Sequence, residues 1–251
     1  MPVSCARRGA RGFTLTELAV VFAIVALLLA AGLFTLSAQT EVRNFEETRR
    51  RLELARELLL AFALVNGRLP CPATTSGAEA ITTPPNCDAT YGGFLPAQAI
   101  GFQIVDGNGF AIDAWGNRIR YAVSSTAPTC AIAPTTPHFT NAANLRSNGI
   151  SCQPNDLVVC NSASVITATA CGTATPVTNQ TTLVAIVFST GKNGISGSAG
   201  IDEAANVNGD RVFVWHTPTP VGAANGEFDD QMTWIAVGEL YSRLVAANLL
   251  P

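Results

Sequence analysis

The sequence predicts an α+β fold in which one long helix precedes a loop-rich domain of short strands. Residues 13–66 contain no proline and keep a helical pattern throughout. Segments of β-type composition then occur at 118–123, 157–160, 182–188, 211–215 and 232–237. Six cysteines are spread through the region that follows the helix. A helix followed by several antiparallel strands is typical of the α+β class.

The first element is an apolar segment at residues 13–36 that is long enough to span a membrane. Its 24 residues would form a helix of about 36 Å, and a hydrocarbon layer is ~30 Å thick. Glu17 is the only charged residue in it, and Arg7, Arg8 and Arg11 precede it. The positive-inside rule therefore predicts a cytoplasmic N-terminus and a periplasmic or extracellular domain at 67–251.

Two alternative interpretations of this segment remain open. A secretory signal peptide also combines basic and apolar residues, but this run is longer than a usual signal core and lacks a good cleavage site near Ala38. An ordinary signal anchor explains every feature except Glu17. A carboxylate within a spanning helix costs roughly 2–3 kcal/mol or more, so an acid at this position indicates a function.

The second half of the predicted helix, residues 37–66, is amphipathic. Apolar residues recur at alternating intervals of three and four, which is the period of one helix face: Phe45, Leu52, Ala55, Leu59 and Phe62. The pair Asn66-Gly67 predicts the end of the helix, and Pro70 follows. Downstream, we expect helical turns at 97–100 and a C-terminal helix at 239–250.

The cysteines predict disulfide bonds formed in an oxidising compartment. Cys5 stands apart in the basic N-terminus, and no CxxC pair occurs, so the spacing does not indicate zinc or redox chemistry. The other six residues are disulfide candidates: Cys71, Cys87, Cys130, Cys152, Cys160 and Cys171. Free structural thiols are the alternative, and the sequence does not choose among the possible pairings.

The composition gives no reason to expect a nucleic-acid partner. The chain has a net charge of −3 although its first twelve residues hold three arginines and no acid. The exported part is therefore acidic, whereas a phosphate backbone needs a basic surface.

The run RGFTLTEL at residues 11–18 resembles the processing site of type IV prepilins and type II secretion pseudopilins. The resemblance implies a leader at residues 1–12, cleavage after Gly12 and N-methylation of Phe13. Glu17 matches the acid that this family carries at the fifth mature position. The family's pilin-like fold packs a helix spine against a small antiparallel sheet, which fits the predicted order of elements.

The same resemblance implies partners and a location. The partners are the prepilin peptidase and methylase, other pilin or pseudopilin subunits and an inner-membrane assembly platform. The precursor is a single-pass inner-membrane protein that later enters a pilus or pseudopilus. Major pilins often carry a proline where this chain has Gly32, which favours a pseudopilin or minor pilin. A non-polymerising, signal-anchored periplasmic binding module is the alternative from a different class.

A second resemblance lies in the exported domain. The run DAWGNRIRY at residues 113–121 is similar to a stretch of the major type II secretion pseudopilins, which implies that Trp115 packs and Gly116 turns. The segment from 188 to 203 resembles the glycine-rich loop that holds calcium in those proteins. The candidate ligands for such a site are the following: Asp202, Glu203, Asn206, Asn208 and Asp210. The alternative is a polar surface loop.

No segment of the sequence predicts an enzyme. The two histidines, His138 and His216, lie in unrelated segments, and we expect surface or packing roles for both. The cluster of Glu227, Asp229 and Asp230 is expected to be a solvated turn, with a second cation site as the less favoured alternative. The protein is therefore expected to be a structural subunit.

Overall fold

A computed structural model of the chain describes residues 14–83, 86–125, 130, 137–194 and 200–250, without the side chains of residues 29–38. The chain divides into two compact units, residues 1–44 and residues 45–251. Within the described ranges the helices are α1 (Leu15–Asn66), α2 (Ala97–Ile100), α3 (Ala142–Asn148), α4 (Ile201–Val207) and α5 (Val237–Ala246). The strands are β1 (Ile81–Thr83), β2 (Asn86–Cys87), β3 (Gly93–Phe94), β4 (Arg120–Val123), β5 (Val158–Cys160), β6 (Leu183–Ser189), β7 (Val212–Val214) and β8 (Gln231–Ala236).

Helix α1 ends where the sequence predicts its stop. Gly67 adopts the left-handed conformation at φ 67°, and its N–H donates to the carbonyl of Ala63 at 2.8 Å. The side-chain amide of Asn66 donates to the carbonyl of Phe62 at 2.9 Å. These bonds satisfy carbonyls that a helix end would otherwise leave unpaired.

The main sheet of the described residues has four strands in the order β3-β4-β6-β8, all antiparallel to their neighbours. Strand β6 lies between β4 and β8, with Tyr121 opposite Val187 and Val187 opposite Thr233. All seven residues of β6 are buried, so both faces of this strand are covered. Its run of branched and aromatic side chains suits such a position.

The core of the unit at 45–251 forms where the amphipathic half of α1 meets the sheet. Leu52, Ala55 and Leu59 of α1 are at most 2% exposed and share one hydrophobic cluster with Tyr121 and Val187 of the sheet. Full burial of a leucine side chain contributes about 1.5–3 kcal/mol. The prediction of a long helix packed against a small antiparallel sheet in a disulfide-linked α+β domain is therefore confirmed.

The turn at residues 113–117 docks on the same helix. The Asp113 carboxylate accepts the N–H groups of Trp115 at 2.9 Å and Asn117 at 2.8 Å, which holds the turn closed. Gly116 has φ 88°, and the Trp115 ring meets Phe45 of α1 edge-on at 4.9 Å. The expected packing role of Trp115 and turning role of Gly116 are both confirmed.

Several elements differ from the sequence prediction. Residues 201–207, expected to be a loop, form helix α4, and α3 lies in a segment for which we predicted no helix. Strands β5 and β7 pair in parallel, with Val159 opposite Phe213, although only antiparallel strands were expected. Strands β1, β2 and β3 have two or three residues each, and runs this short leave no periodicity to detect.

Candidate functional site

The described part of the chain begins at the N-terminal end of α1, which carries the candidate assembly residue Glu17. Thr14 caps the helix, because its hydroxyl accepts the N–H of Glu17 at 3.3 Å. The Glu17 carboxylate accepts in return, through Oε2, from the N–H of Thr14 at 3.0 Å and from its hydroxyl at 2.9 Å. This reciprocal arrangement is a capping box. Gly12 and Phe13, the predicted processing residues, lie outside the described residues.

The helix surface that follows Glu17 is apolar and exposed. Leu27 and Leu28 are 72% and 68% exposed, and Leu15, which precedes Glu17, is 86% exposed. The other large exposed side chains of the described part of this segment are also hydrophobic: Leu18, Val20, Val21, Phe22, Ile24 and Val25. A search of the described residues for a helix long and apolar enough to cross a membrane found none.

Each of the six cysteines expected to be oxidised is in a disulfide. The pairs are Cys71–Cys87, Cys130–Cys152 and Cys160–Cys171, which span 16, 22 and 11 residues of sequence. The first pair connects the segment after α1 to β2, and the third connects β5 to the loop that follows it. The alternative of free structural thiols is therefore wrong for these residues.

A cluster of buried carboxylates lies between α4 and the start of β8. One carboxylate oxygen from each of Glu203, Asp229 and Asp230 lies within 4.8 Å of the other two. Their exposed fractions are 2%, 5% and 4%. Helix α4 supplies the glutamate, and the residues just before β8 supply the aspartates. The expectation that Asp229 and Asp230 form a solvated turn is therefore wrong.

Protein donors satisfy only part of this cluster. The Asn193 amide donates to both oxygens of Glu203, at 3.1 and 3.0 Å, and the N–H of Asp229 also donates to Glu203 at 3.0 Å. Oδ2 of Asp229 accepts the N–H groups of Lys192 and Asn193 at 3.0 and 3.3 Å. Oδ1 of Asp229 and Oδ1 of Asn193 are buried and have no hydrogen-bond donor.

The surroundings of the three carboxylates favour either their protonated forms or a bound cation. Burial raises the pKa of Glu203 and of Asp229, and it raises the pKa of Asp230 well above its usual range. The charge of Arg120 lowers the pKa of Asp230, but this effect is smaller than that of burial. Burial also lowers the pKa of the Arg120 guanidinium. The charges of Glu203 and Asp229 raise the pKa of Asp230 further, because the three carboxylates repel one another when ionised.

This arrangement could bind a metal ion such as calcium. Calcium takes six to eight oxygen ligands, and carboxylate, amide and carbonyl oxygens are the types it prefers. Glu203, Asp229 and Asp230 supply carboxylate oxygens, and Asn193 Oδ1 is an amide oxygen without a donor. Gly191 also makes room for the cluster, because a Cβ at this position would lie 1.8 Å from Oδ1 of Asp229.

The structure separates the five predicted calcium ligands. Asp202 faces away from the carboxylate cluster and accepts from the N–H of Ala163, from Asn225 at 2.9 Å and from His216 at 3.2 Å. Asn208 and Asp210 are hydrogen-bonded to each other at 2.8 Å.

Glu203 and Asn206 remain near the cluster. Asn206 donates to Asp230 at 2.7 Å, and it also bonds the backbone of Val214 through both its oxygen and its nitrogen. Of the predicted set, Glu203 is the member whose oxygens lie in the carboxylate cluster.

The sequence predicted Asp229 and Asp230 as part of a separate acidic cluster, and they follow Glu203 by more than twenty residues. The signal that could have included them is the short acidic run just before a β-type segment.

Comparison with known proteins bears on the N-terminal segment. Residues 7–33 match the family described as the prokaryotic N-terminal methylation motif. Comparison with curated proteins and with solved structures gave no match. The matched segment contains the run RGFTLTEL with Gly12, Phe13 and Glu17. The chain therefore carries the prepilin-type cleavage and methylation motif of the type IV pilin-like family.

Proposed function

We propose that this protein is a structural subunit of a type IV pilus-like filament or of a type II secretion pseudopilus. The observation that carries the proposal is the methylation motif at residues 7–33. Cleavage after Gly12 and methylation of Phe13 by the prepilin peptidase prepare the subunit, which then polymerises through its N-terminal helix. Members of this family are generally structural proteins and not enzymes.

The surface of the first half of α1 supports a polymerising role. Its exposed leucines, valines and phenylalanine have to be covered, first by lipid in the inner membrane and then by helices of neighbouring subunits. Glu17 is charged in this otherwise apolar setting. In the filament it pairs with the Phe13 amine of a neighbouring subunit, which offsets two charges that would each be costly alone and fixes the axial register.

Location and partners follow from the same proposal. The N-terminus of the precursor faces the cytoplasm, and residues 67–251 fold in the periplasm, where the disulfides form. An inner-membrane assembly platform then draws the subunit into the filament. The domain boundaries are those of the sequence: leader 1–12, helix 13–66 and globular domain 67–251.

Calcium binding at Glu203, Asp229 and Asp230 favours a pseudopilin within this proposal. The unsatisfied oxygens of Asp229 and Asn193 are the feature that a bound cation would explain. A minor pilin acting as an adhesin or tip subunit is the second candidate, and the disulfide-linked segment between β4 and β6 favours it. Deletion of the gene separates the two, because loss of pili with intact secretion contradicts the pseudopilin.

The role of Glu17 can be tested with variants that separate its charge from its capping bonds. Glu17→Gln removes the charge and keeps a side chain that can accept in the capping box, whereas Thr14→Ala removes the cap and keeps the carboxylate. Glu17→Ala removes both. We expect Glu17→Gln and Glu17→Ala to lower the subunit content of sheared filaments at least tenfold, and Thr14→Ala to leave it near the wild-type level.

All three variants should still insert in the membrane, which fractionation checks. Normal incorporation of Glu17→Gln would contradict the proposed charge pairing. If Glu17→Ala were also incorporated normally, the carboxylate would have no role in assembly. That result would favour the non-polymerising, signal-anchored binding module.

A further inference from the structure

The Cys130–Cys152 disulfide has a buried imidazole beside it. One side-chain atom from each of Cys130, His138 and Cys152 lies within 4.8 Å of the other two. In the described part of the chain, this disulfide alone belongs to such a cluster. Both His138 and Cys152 are fully buried, and Cys130 is half-buried. The site therefore has two buried residues and one half-buried residue.

His138 has a nitrogen without a hydrogen-bond partner in this site. Nδ1 is buried and unpartnered. Nε2 lies 3.5 Å from the Tyr241 hydroxyl, but that hydroxyl already donates to the carbonyl of Cys152 at 2.6 Å. Burial lowers the pKa of His138 to about 4, so the imidazole is neutral near pH 7. A neutral imidazole with an available lone pair is the form that binds metal ions.

We propose that the reduced form of this cluster binds a thiophilic divalent cation, with Zn²⁺ as the type case. The ligands are the Sγ atoms of Cys130 and Cys152 and one imidazole nitrogen of His138. Two thiolates and an imidazole are a ligand set that zinc prefers, and water fills the fourth position of its tetrahedron. The disulfide and the metal site exclude each other because the same two sulfurs form both.

The redox step balances with a dithiol reductant. The dithiol transfers two electrons and two protons to the Cys130–Cys152 bond, gives two thiols and becomes a cyclic disulfide. An exchanging thiol would approach from the side of Cys130, because that residue is half-buried whereas Cys152 is fully buried. Zn²⁺ then displaces one proton from each thiol, and His138 contributes a lone pair without releasing a proton.

This site would keep the same connection in two redox states. Cys130 and Cys152 are 22 residues apart in sequence, and either a disulfide or a metal ion can join them. The inference rests on the cluster alone and is independent of filament assembly. Its failure would leave the proposed function unchanged.

The test uses the full-length protein in detergent and Co²⁺ as a spectroscopic probe for zinc. After reduction with a phosphine, Co²⁺ should give a thiolate-to-cobalt charge-transfer band and the visible bands of a tetrahedral ion, and Zn²⁺ should abolish both. The oxidised protein should give neither band. Equal spectra from the reduced and oxidised proteins would overturn the proposal.

Variants assign the ligands, because phosphine also opens the other disulfides. Cys130→Ser with Cys152→Ser should abolish the thiolate band, while the matched pair Cys160→Ser with Cys171→Ser should retain it. His138→Ala should weaken Co²⁺ binding at least tenfold, and His138→Gln is the substitute if the alanine variant loses its near-ultraviolet circular dichroism. A band that survives in the Cys130/Cys152 variant, or unchanged affinity without His138, would contradict the proposed site.

Discussion

The two halves of α1 use apolar residues in opposite ways. Leu27 and Leu28 in the first half are 72% and 68% exposed, whereas Leu52 and Leu59 in the second half are at most 2% exposed. Both halves belong to one continuous helix. In the second half, the sheet of the same chain covers the apolar face. In the first half, the described residues of the chain leave it exposed.

This difference shows which process the apolar residues of each half stabilise. Buried leucines contribute to the folding of the unit at 45–251, because the unfolded chain would expose them. The exposed leucines contribute nothing to that folding. They stabilise the subunit where lipid or another helix covers them. In the proposal, lipid covers them in the membrane and neighbouring helices cover them in the filament.

The same substitution in each half should separate these contributions. Leu59→Ala should lower the free energy of unfolding of the globular unit by about 2–5 kcal/mol, because it removes packed methyl groups from the core. Leu27→Ala should change it by less than about 0.5 kcal/mol. Urea unfolding followed by circular dichroism measures both. Equal destabilisation by the two variants would show that the comparison is wrong.

The carboxylate cluster is the exception within the unit at 45–251, since Oδ1 of Asp229 is buried there without a hydrogen-bond donor. Burial raises the pKa of Glu203, Asp229 and Asp230, so the metal-free folded state binds more protons than the unfolded state. The free energy of unfolding should therefore fall as pH rises from roughly 4 through the raised pKa values. Calcium at 100 times its Kd should restore about 2.7 kcal/mol at pH 7.

Thermal melting with calcium or with a chelator checks this prediction. Asp229→Asn should abolish most of the calcium-dependent rise in Tm. Asp210→Asn is the matched control, since Asp210 lies outside the cluster, and should keep that rise. A Tm that does not respond to calcium in the wild-type protein would exclude the site.

The smallest expected effect concerns two ion pairs of α1. Arg56 pairs with Glu239 and donates to the carbonyl of Trp234 at 3.0 Å, and the paired side chains are 22% and 25% exposed. Arg56→Met should cost about 1–3 kcal/mol because it removes a charged donor from two partly buried acceptors, the Glu239 carboxylate and the Trp234 carbonyl, although Glu239 keeps Arg243 as a partner. Arg49→Met breaks the exposed pair with Glu46 and should cost less than about 0.5 kcal/mol. Equal losses of unfolding free energy in the Arg56→Met and Arg49→Met variants, measured by urea unfolding, would contradict the inferred role of burial.

The sequence predicted those parts of the fold whose signals are long or local. The apolar stripe through Leu52 and Leu59 repeats over several turns, and Asn66-Gly67 marks a helix end by its own conformational preference. The turn at Asp113 closes on residues within four positions of itself. Each of these features needs little information from distant sequence.

The carboxylate cluster was beyond prediction because it is assembled from distant segments. Helix α4 carries Glu203, and β8 pairing brings Asp229 and Asp230 beside it. Acid and asparagine density at 202–210 indicated a ligand loop, but residues 201–207 form helix α4, and a helix turns Asp202 and Glu203 in different directions. The same tertiary dependence left the cysteine pairing open.

The most direct test of the central claim is mass spectrometry of the intact protein and its N-terminal peptide from native membranes. The proposed subunit should begin at Phe13, with a methyl group on its amine, because the prepilin peptidase cuts after Gly12. A mature chain with this terminus would support polymerisation through the N-terminal helix. A chain that still begins at Met1, or that is cut near Ala38, would contradict it.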